Sequence, residues 1–80
     1  MALHDIVSPL PGTFYRRASP EAAPYVETGV SIESGAVVGL VEVMKQFNDV
    51  ETSMAGRVVE IFVDDGEPVD AGQVLMRIEG

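Results

Sequence analysis

Lys45 is the only lysine in the chain. In its neutral form a lysine amine attacks an activated acyl group to give an amide, and its four-carbon stem extends the reach of whatever is attached. Most lysines are simply solvated surface residues. This one has no competitor of its own type, and it lies near the midpoint of 80 residues whose two halves resemble each other. The remaining side chains form no catalytic constellation. His4 stands near one end with no nucleophile beside it. Asp64, Asp65 and Glu67 surround a glycine, which is ordinary turn material, in a loop too short for a helix–loop–helix calcium site. No Gly-x-x-x-x-Gly-Lys, His-Glu-x-x-His or Gly-x-Ser-x-Gly occurs. With no cysteine there is no thiolate nucleophile, thiolate metal site or disulfide. No metal is expected.

The formal charge of −8 argues against nucleic acid, because phosphate binding rests on clustered lysine and arginine. The basic residues are Arg16, Arg17, Lys45, Arg57 and Arg77, with one adjacent pair among them. The same acidity disfavours anionic membranes. The longest apolar run, Ala36 to Val41, is far too short to span a bilayer. The start, Met1-Ala2-Leu3-His4-Asp5, lacks the basic region of a secretory signal. A cytoplasmic protein is the expectation. Its 46% hydrophobic and 22% charged residues suit one soluble globular domain over residues 1–80 rather than a disordered tail.

An amine can be presented usefully only by a rigid scaffold, and the elements here read as short strands. Valine, isoleucine and phenylalanine cluster in runs of four to seven, separated by turns such as Glu33-Ser34-Gly35, Asp64-Asp65-Gly66 and Asp70-Ala71-Gly72. Alternation puts Val74, Met76 and Ile78 on a buried face and Arg77 and Glu79 in water, and it orders Val59, Ile61 and Val63 around Glu60 in the same way. No apolar pattern at helical spacing lasts three turns.

The strands also repeat. Gly29 to Val38 lies over Gly66 to Leu75 at an offset of 66 − 29 = 37, which also matches Gly35 with Gly72, Val41 with Ile78 and Glu42 with Glu79. Leu10-Pro11-Gly12 lies over Met54-Ala55-Gly56 at 56 − 12 = 44. The difference, 44 − 37 = 7, is an insertion in the first half around Ala18-Ser19-Pro20-Glu21-Ala22-Ala23-Pro24, whose prolines cannot donate to a ladder. Two similar halves of a few strands each can bury their apolar faces only against one another. The expected fold is all-β: a small flattened barrel or sandwich of two sheets with quasi-two-fold symmetry. Gly35 and Gly72 should occupy equivalent turns.

Glu42-Val43-Met44-Lys45-Gln46-Phe47-Asn48 joins the halves. The strand-like runs Val37 to Val43 and Gln46 to Thr52 meet there with no glycine, proline or Asn-Gly. A tight hairpin wants residues that accept positive φ, and neither Met44 nor Lys45 is one. Periodicity alone would draw one long strand.

Glu42-Val43-Met44-Lys45 resembles the Glu-Ala-Met-Lys signature of biotinyl domains, and Ser8-Pro9-Leu10-Pro11-Gly12-Thr13-Phe14-Tyr15-Arg16 resembles the opening of the biotin carboxyl carrier proteins of bacterial acetyl-CoA carboxylases. The similarity continues through Ser19-Pro20-Glu21-Ala22 and Val26-Glu27-Thr28-Gly29, and covers about His4 to Glu79. It implies two four-stranded antiparallel sheets, with the lysine on a hairpin at about residues 42–48. The insertion, at about 18–25 with Ser19, Pro20, Glu21, Ala22, Ala23 and Pro24, would be the protruding thumb that lies near the cofactor. Biotin would be joined to Lys45 by a biotin–protein ligase that reads Glu42, Val43, Met44 and Gln46. Val43 and Gln46 depart from the usual alanine and methionine. The further partners implied are a biotin carboxylase, where carboxylate is acquired, and a carboxyltransferase, where acetyl-CoA is the favoured acceptor. The chain would then be a carrier, not an enzyme on its own. Two other readings stand beside this one: a lipoyl carrier of a 2-oxoacid dehydrogenase-type complex, which shares the fold but usually shows Asp-Lys-Ala or Ser-Val-Lys at the turn, and an unmodified β adaptor.

Overall fold

Four glycines at positive φ, Gly29, Gly35, Gly66 and Gly72, reverse the chain between short runs of β-branched residues. The computed structural model describes residues 2–80. It contains β1 (Leu3–Val7), β2 (Gly12–Tyr15), β3 (Ser31–Ile32), β4 (Val37–Val43), β5 (Gln46–Glu51), β6 (Gly56–Ile61), β7 (Glu67–Val69) and β8 (Val74–Glu79). The described residues contain no helix, so no helix is long and apolar enough to cross a membrane.

The strands form two four-stranded sheets, ordered β1-β8-β6-β3 and β5-β4-β2-β7, and every ladder is antiparallel. Among the described residues no ladder joins one sheet to the other, so they form a flattened sandwich of 38 × 27 × 19 Å rather than a closed barrel. Offsets of 44 and 37 residues carry β1, β2, β3 and β4 onto β5, β6, β7 and β8. The same operation turns the first sheet order into the second.

The symmetry extends to single hydrogen bonds. Gly35, at φ 88°, donates its amide to the Thr52 carbonyl at 2.7 Å, and Gly72, at φ 83°, donates to the Ser8 carbonyl at 2.8 Å. The Thr52 and Ser8 amides donate back to Ala36 at 3.0 Å and Gln73 at 2.9 Å. The buried hydroxyls of Ser8 and Thr52 each reach the carbonyl two residues on, at 2.6 and 2.7 Å, so neither is left unsatisfied. Gly35 and Gly72 therefore occupy equivalent turns.

Between the sheets lie Phe14, Val41, Val58, Leu75, Met76 and Ile78, each at most 1% exposed, with Ile6, Val26, Ile32, Val38, Val50, Val63 and Val69 around them. Simple alternation misplaces part of this core. Met76 and Ile78 are inside as expected, but Val74 is only half-buried and Leu75 is fully buried. Likewise Val58 is fully buried, while Val59 and Ile61 are half-buried. The cause is a set of bulges. Val7 pairs with Val74 and Ile6 with Met76, which leaves Leu75 as an extra residue. In the equivalent place Val37 pairs with Glu51 and Gly39 with Val50, leaving Val38. A third bulge lies between Val58 and Glu60. Each shifts the phase by one residue, and in β8 this leaves the neighbours Leu75 and Met76 both inside the same core.

Candidate functional site

The β4–β5 ladder is the longest in the molecule, with six pairs from Val37–Glu51 to Val43–Gln46. Only Met44 and Lys45 remain to reverse the chain, and they do so at φ 51° and 67°. Two-residue hairpins favour positive φ because that twist matches the flanking strands. For residues bearing a Cβ, each such conformation costs about 1–2 kcal/mol, and it persists only where the surroundings over-determine it.

The surroundings do so from both faces of the sheet. Inward, Val43 packs against the core. Outward, Glu42 and Phe47 stand opposite each other one rung below the turn. Tyr15, on the neighbouring strand, donates its hydroxyl to Glu42 Oε1 at 3.2 Å, and its ring lies 6.1 Å from that of Phe47 at 55°. The Asn48 side chain donates from Nδ2 to the Val41 carbonyl at 3.2 Å. The bond to Glu42, followed by partial burial and the nearby carboxylate charges of Glu42 and Asp65, pushes the Tyr15 phenol above its ordinary value. It remains a donor through the neutral range.

Met44 is 92% exposed and Lys45 is exposed beside it. Among the described residues the Lys45 amine has no hydrogen-bond or ion-pair partner. The ion pairs, Arg57–Glu79 at 3.4 Å and Arg77–Asp5 at 2.8 Å, both lie on the other sheet. A solvated primary amine on a stiff support is suited to acylation by an enzyme that brings an activated acyl group and takes the proton.

Beside the hairpin is a groove of about 250 Å³. Tyr15, Phe47 and Asp65 line it together with Arg17, Ala18, Ser19 and Pro20. The inserted segment is pinned where it leaves the sheet. The Arg16 amide donates to Asp65 Oδ1 at 2.6 Å, its guanidinium to the Val26 carbonyl at 3.1 Å, and the Tyr25 amide to the Arg16 carbonyl at 2.8 Å. Within the segment, Arg17 donates to the Ala22 carbonyl at 3.2 Å and the Ala22 amide to the Ser19 carbonyl at 3.1 Å. Arg16 Nε is buried without a partner.

Of the residues singled out from sequence, Glu42, Val43, Met44, Lys45 and Gln46 all fall within this one hairpin. Ser19 and Pro20 line the groove, whereas Glu21, Ala22, Ala23 and Pro24 do not. Four residues of the site have no site role assigned from sequence: Tyr15 and Arg17, Phe47 within the expected hairpin, and Asp65, taken for turn material. Tyr15 and Phe47 become neighbours only once the chain reverses at Met44, so no local pattern marks them. Asp64, Asp65 and Glu67 belong to a tight turn in which Glu67 accepts from the Asp64 amide at 3.0 Å. Among the described residues no three His, Cys, Asp or Glu side chains are grouped to hold a metal ion.

The sequence matches the model of the family described as Biotin-requiring enzyme over residues 4–78. It is 46% identical over 77 residues to the biotin carboxyl carrier protein of acetyl-CoA carboxylase from Nostoc sp., covering 96% of this chain and 42% of that protein. The protein of the same name from Chlamydia trachomatis is 48% identical over 73 residues, covering 91% and 44%. The one from Pseudomonas aeruginosa is 44% identical over 71 residues, covering 89% and 46%. The chain thus spans less than half the length of these relatives. The crystal structure of Kluyveromyces lactis urea carboxylase shares the fold, with a TM-score of 0.79 at 24% identity over 99% of this chain and 6% of that one. The family match covers nearly all the strands described above, and the chain belongs to the biotin-requiring enzyme family.

Proposed function

We propose that this chain is the carrier domain of a biotin-dependent carboxylase of the acetyl-CoA carboxylase type, with biotin held in amide linkage to Lys45. The observation that carries the reading is an unpaired, solvent-facing amine on a two-residue turn at the end of the longest ladder. It is supported by relatives that are named biotin carboxyl carrier proteins.

The residues suit the group. Biotin ends in a carboxyl, and an amide to it needs one accessible primary amine, which Lys45 alone supplies as a side chain. When bound, biotin supplies the ring that takes up and yields carboxylate. The chain's own part is placement. The rigid hairpin restricts where the stem begins, and tethering raises the effective concentration of the group at each partner's active site. The groove between Tyr15 and Pro20 offers a mostly apolar surface on the same side of the sheet as Phe47. No residue of the site is arranged to make or break bonds, so the chemistry belongs to the partners: a biotin–protein ligase, a biotin carboxylase and a carboxyltransferase. A cytoplasmic setting is part of the same reading.

Intact-mass measurement after co-expression with a biotin–protein ligase tests the proposal. The parent chain should gain one biotinyl increment and Lys45→Arg none. A lipoyl increment, or an unmodified parent chain, would overturn it.

A further inference from the structure

Tyr15 belongs to β2, yet it engages both members of the rung beneath the lysine turn. Its hydroxyl is bonded to Glu42 and its ring leans on Phe47. In register it stands opposite Leu40, two residues before Glu42 on the same face of β4. Leu40 is only 7% exposed although it lies outside the main core cluster, so a small second apolar layer exists on this outer face. Tyr15 also lines the groove together with Arg17, Ala18, Ser19 and Pro20. One side chain therefore links the inserted segment, the outer layer and the base of the hairpin.

The turn needs such a link. Met44 and Lys45 both hold left-handed backbone, and a wider, less strained loop competes with the tight one. The Val43–Gln46 rung is the last of its ladder, so the next rung, Glu42–Phe47, sets how firmly the tip is held. We propose that Tyr15 is a positioning residue for Lys45: by clamping Glu42 and Phe47 it keeps the hairpin in the conformation that the acylating enzyme binds. This rests on the reading of Lys45 as the modified residue. If the competent conformation is only fractionally populated, apparent affinity falls by that fraction while turnover of the bound form is kept. The clamp therefore acts on KM rather than on kcat.

Tyr15→Phe removes the hydroxyl and keeps the ring, so it separates the clamp from cover of Leu40. Amide hydrogen exchange at Gln46, the strand residue paired with Val43, should quicken in the unmodified chain, while the thermal midpoint stays within a few degrees of the parent. In steady-state biotinylation by a biotin–protein ligase, KM for the unmodified chain should rise roughly three- to tenfold with kcat retained, as loss of a half-exposed bond to a charged group implies. Glu42→Ala should quicken the same exchange, and in exchange the double variant should be no worse than either single one, because the two groups act as a unit. Unchanged exchange at the turn in Tyr15→Phe overturns the clamp, as does a KM equal to the parent's or a double variant whose losses multiply. A parent chain that accepts no biotin sinks the functional reading instead, and the exchange measurement still decides whether Tyr15 holds the turn.

Discussion

Met44 and Lys45 sit where glycine and asparagine are usual, and that choice has a measurable cost. Replacing Met44 by glycine removes the Cβ strain but gives the unfolded chain more freedom, so the effects nearly cancel. Met44→Gly should leave stability in urea within about 1 kcal/mol of the parent. Met44→Val, whose branched side chain is a poor fit to positive φ, should lower it by about 1–2 kcal/mol. If the valine variant were as stable as the parent, the turn could not be the strained one described. The same residues explain what was legible at this scale. Lys45 stood out because it is the sole lysine, a matter of chemistry that needs no fold. The turn beneath it was legible only through the family resemblance, since Met-Lys carries no local signal for reversal and the strand periodicity runs straight through. Tyr15 and Phe47 are close only across strands, so their role was invisible until the ladder existed.

Between the two halves, the tightest equivalence involves a pair of glycines that make no turn. A Cβ on Gly12 would overlap the Glu42 carbonyl oxygen, and one on Gly56 would lie 2.6 Å from the Glu79 carbonyl oxygen. These are the same contact repeated, since 42 + 37 = 79 and 12 + 44 = 56. Backbone cannot yield as a flexible side chain can, so Gly12→Ala and Gly56→Ala should each cost about 2–3 kcal/mol in urea unfolding, in the range of overpacked cores. Markedly unequal losses would argue that the halves are not equivalent. The glycines and the offsets were readable from sequence, and so was the symmetric pair of sheets they imply. The bulges at Val38, Val59 and Leu75 were not, because an extra residue in one strand shows itself only against its partner. At the β1–β8 edge, Asp5 accepts from Arg77 at 2.8 Å, and the Arg77 guanidinium also lies 5.2 Å from the centre of the Phe62 ring. The bond from Arg77 holds the Asp5 carboxyl below its ordinary value. A depressed folded-state pKa contributes stability that is fully present above the ordinary value, about 3.9, and is lost as pH falls through the folded-state value. The Tm difference between parent and Asp5→Asn should thus be present at neutral pH and vanish in acid below the ordinary carboxylate range. A difference that grew in acid would contradict the pairing.

For the whole molecule, the symmetry also decides where the lysine stands relative to the chain ends. Ala2 and Gly80 exchange backbone hydrogen bonds at 3.1 and 3.0 Å, in the position that Gln46 and Val43 hold in the other half. β1 runs from that pair toward Gly12, which lies against Glu42 and Val43, so the hairpin and the chain ends occupy opposite ends of the sandwich. On the proposed reading, partners would approach Lys45 from the end of the sandwich away from Ala2 and Gly80. The largest break in the symmetry is the seven-residue inserted segment, and it is separable from the core. Val26, at 5% exposure, and Val63, at 3%, are equivalent buried residues just beyond it. Deleting Ala18 to Pro24 would join Arg17 to Tyr25, matching Ile61 and Phe62 of the second half. None of the seven deleted residues belongs to the core cluster. The shorter connection has a slightly smaller closure cost, which partly offsets the lost Arg17–Ala22 and Ser19–Ala22 bonds. The deletion variant should therefore fold cooperatively, within about 1–2 kcal/mol of the parent. It should still accept biotin at Lys45, because the turn and its ladder lie wholly outside the deleted stretch. A variant that failed to fold would mean that the insertion is part of the structural unit, and that the halves alone do not specify the sandwich.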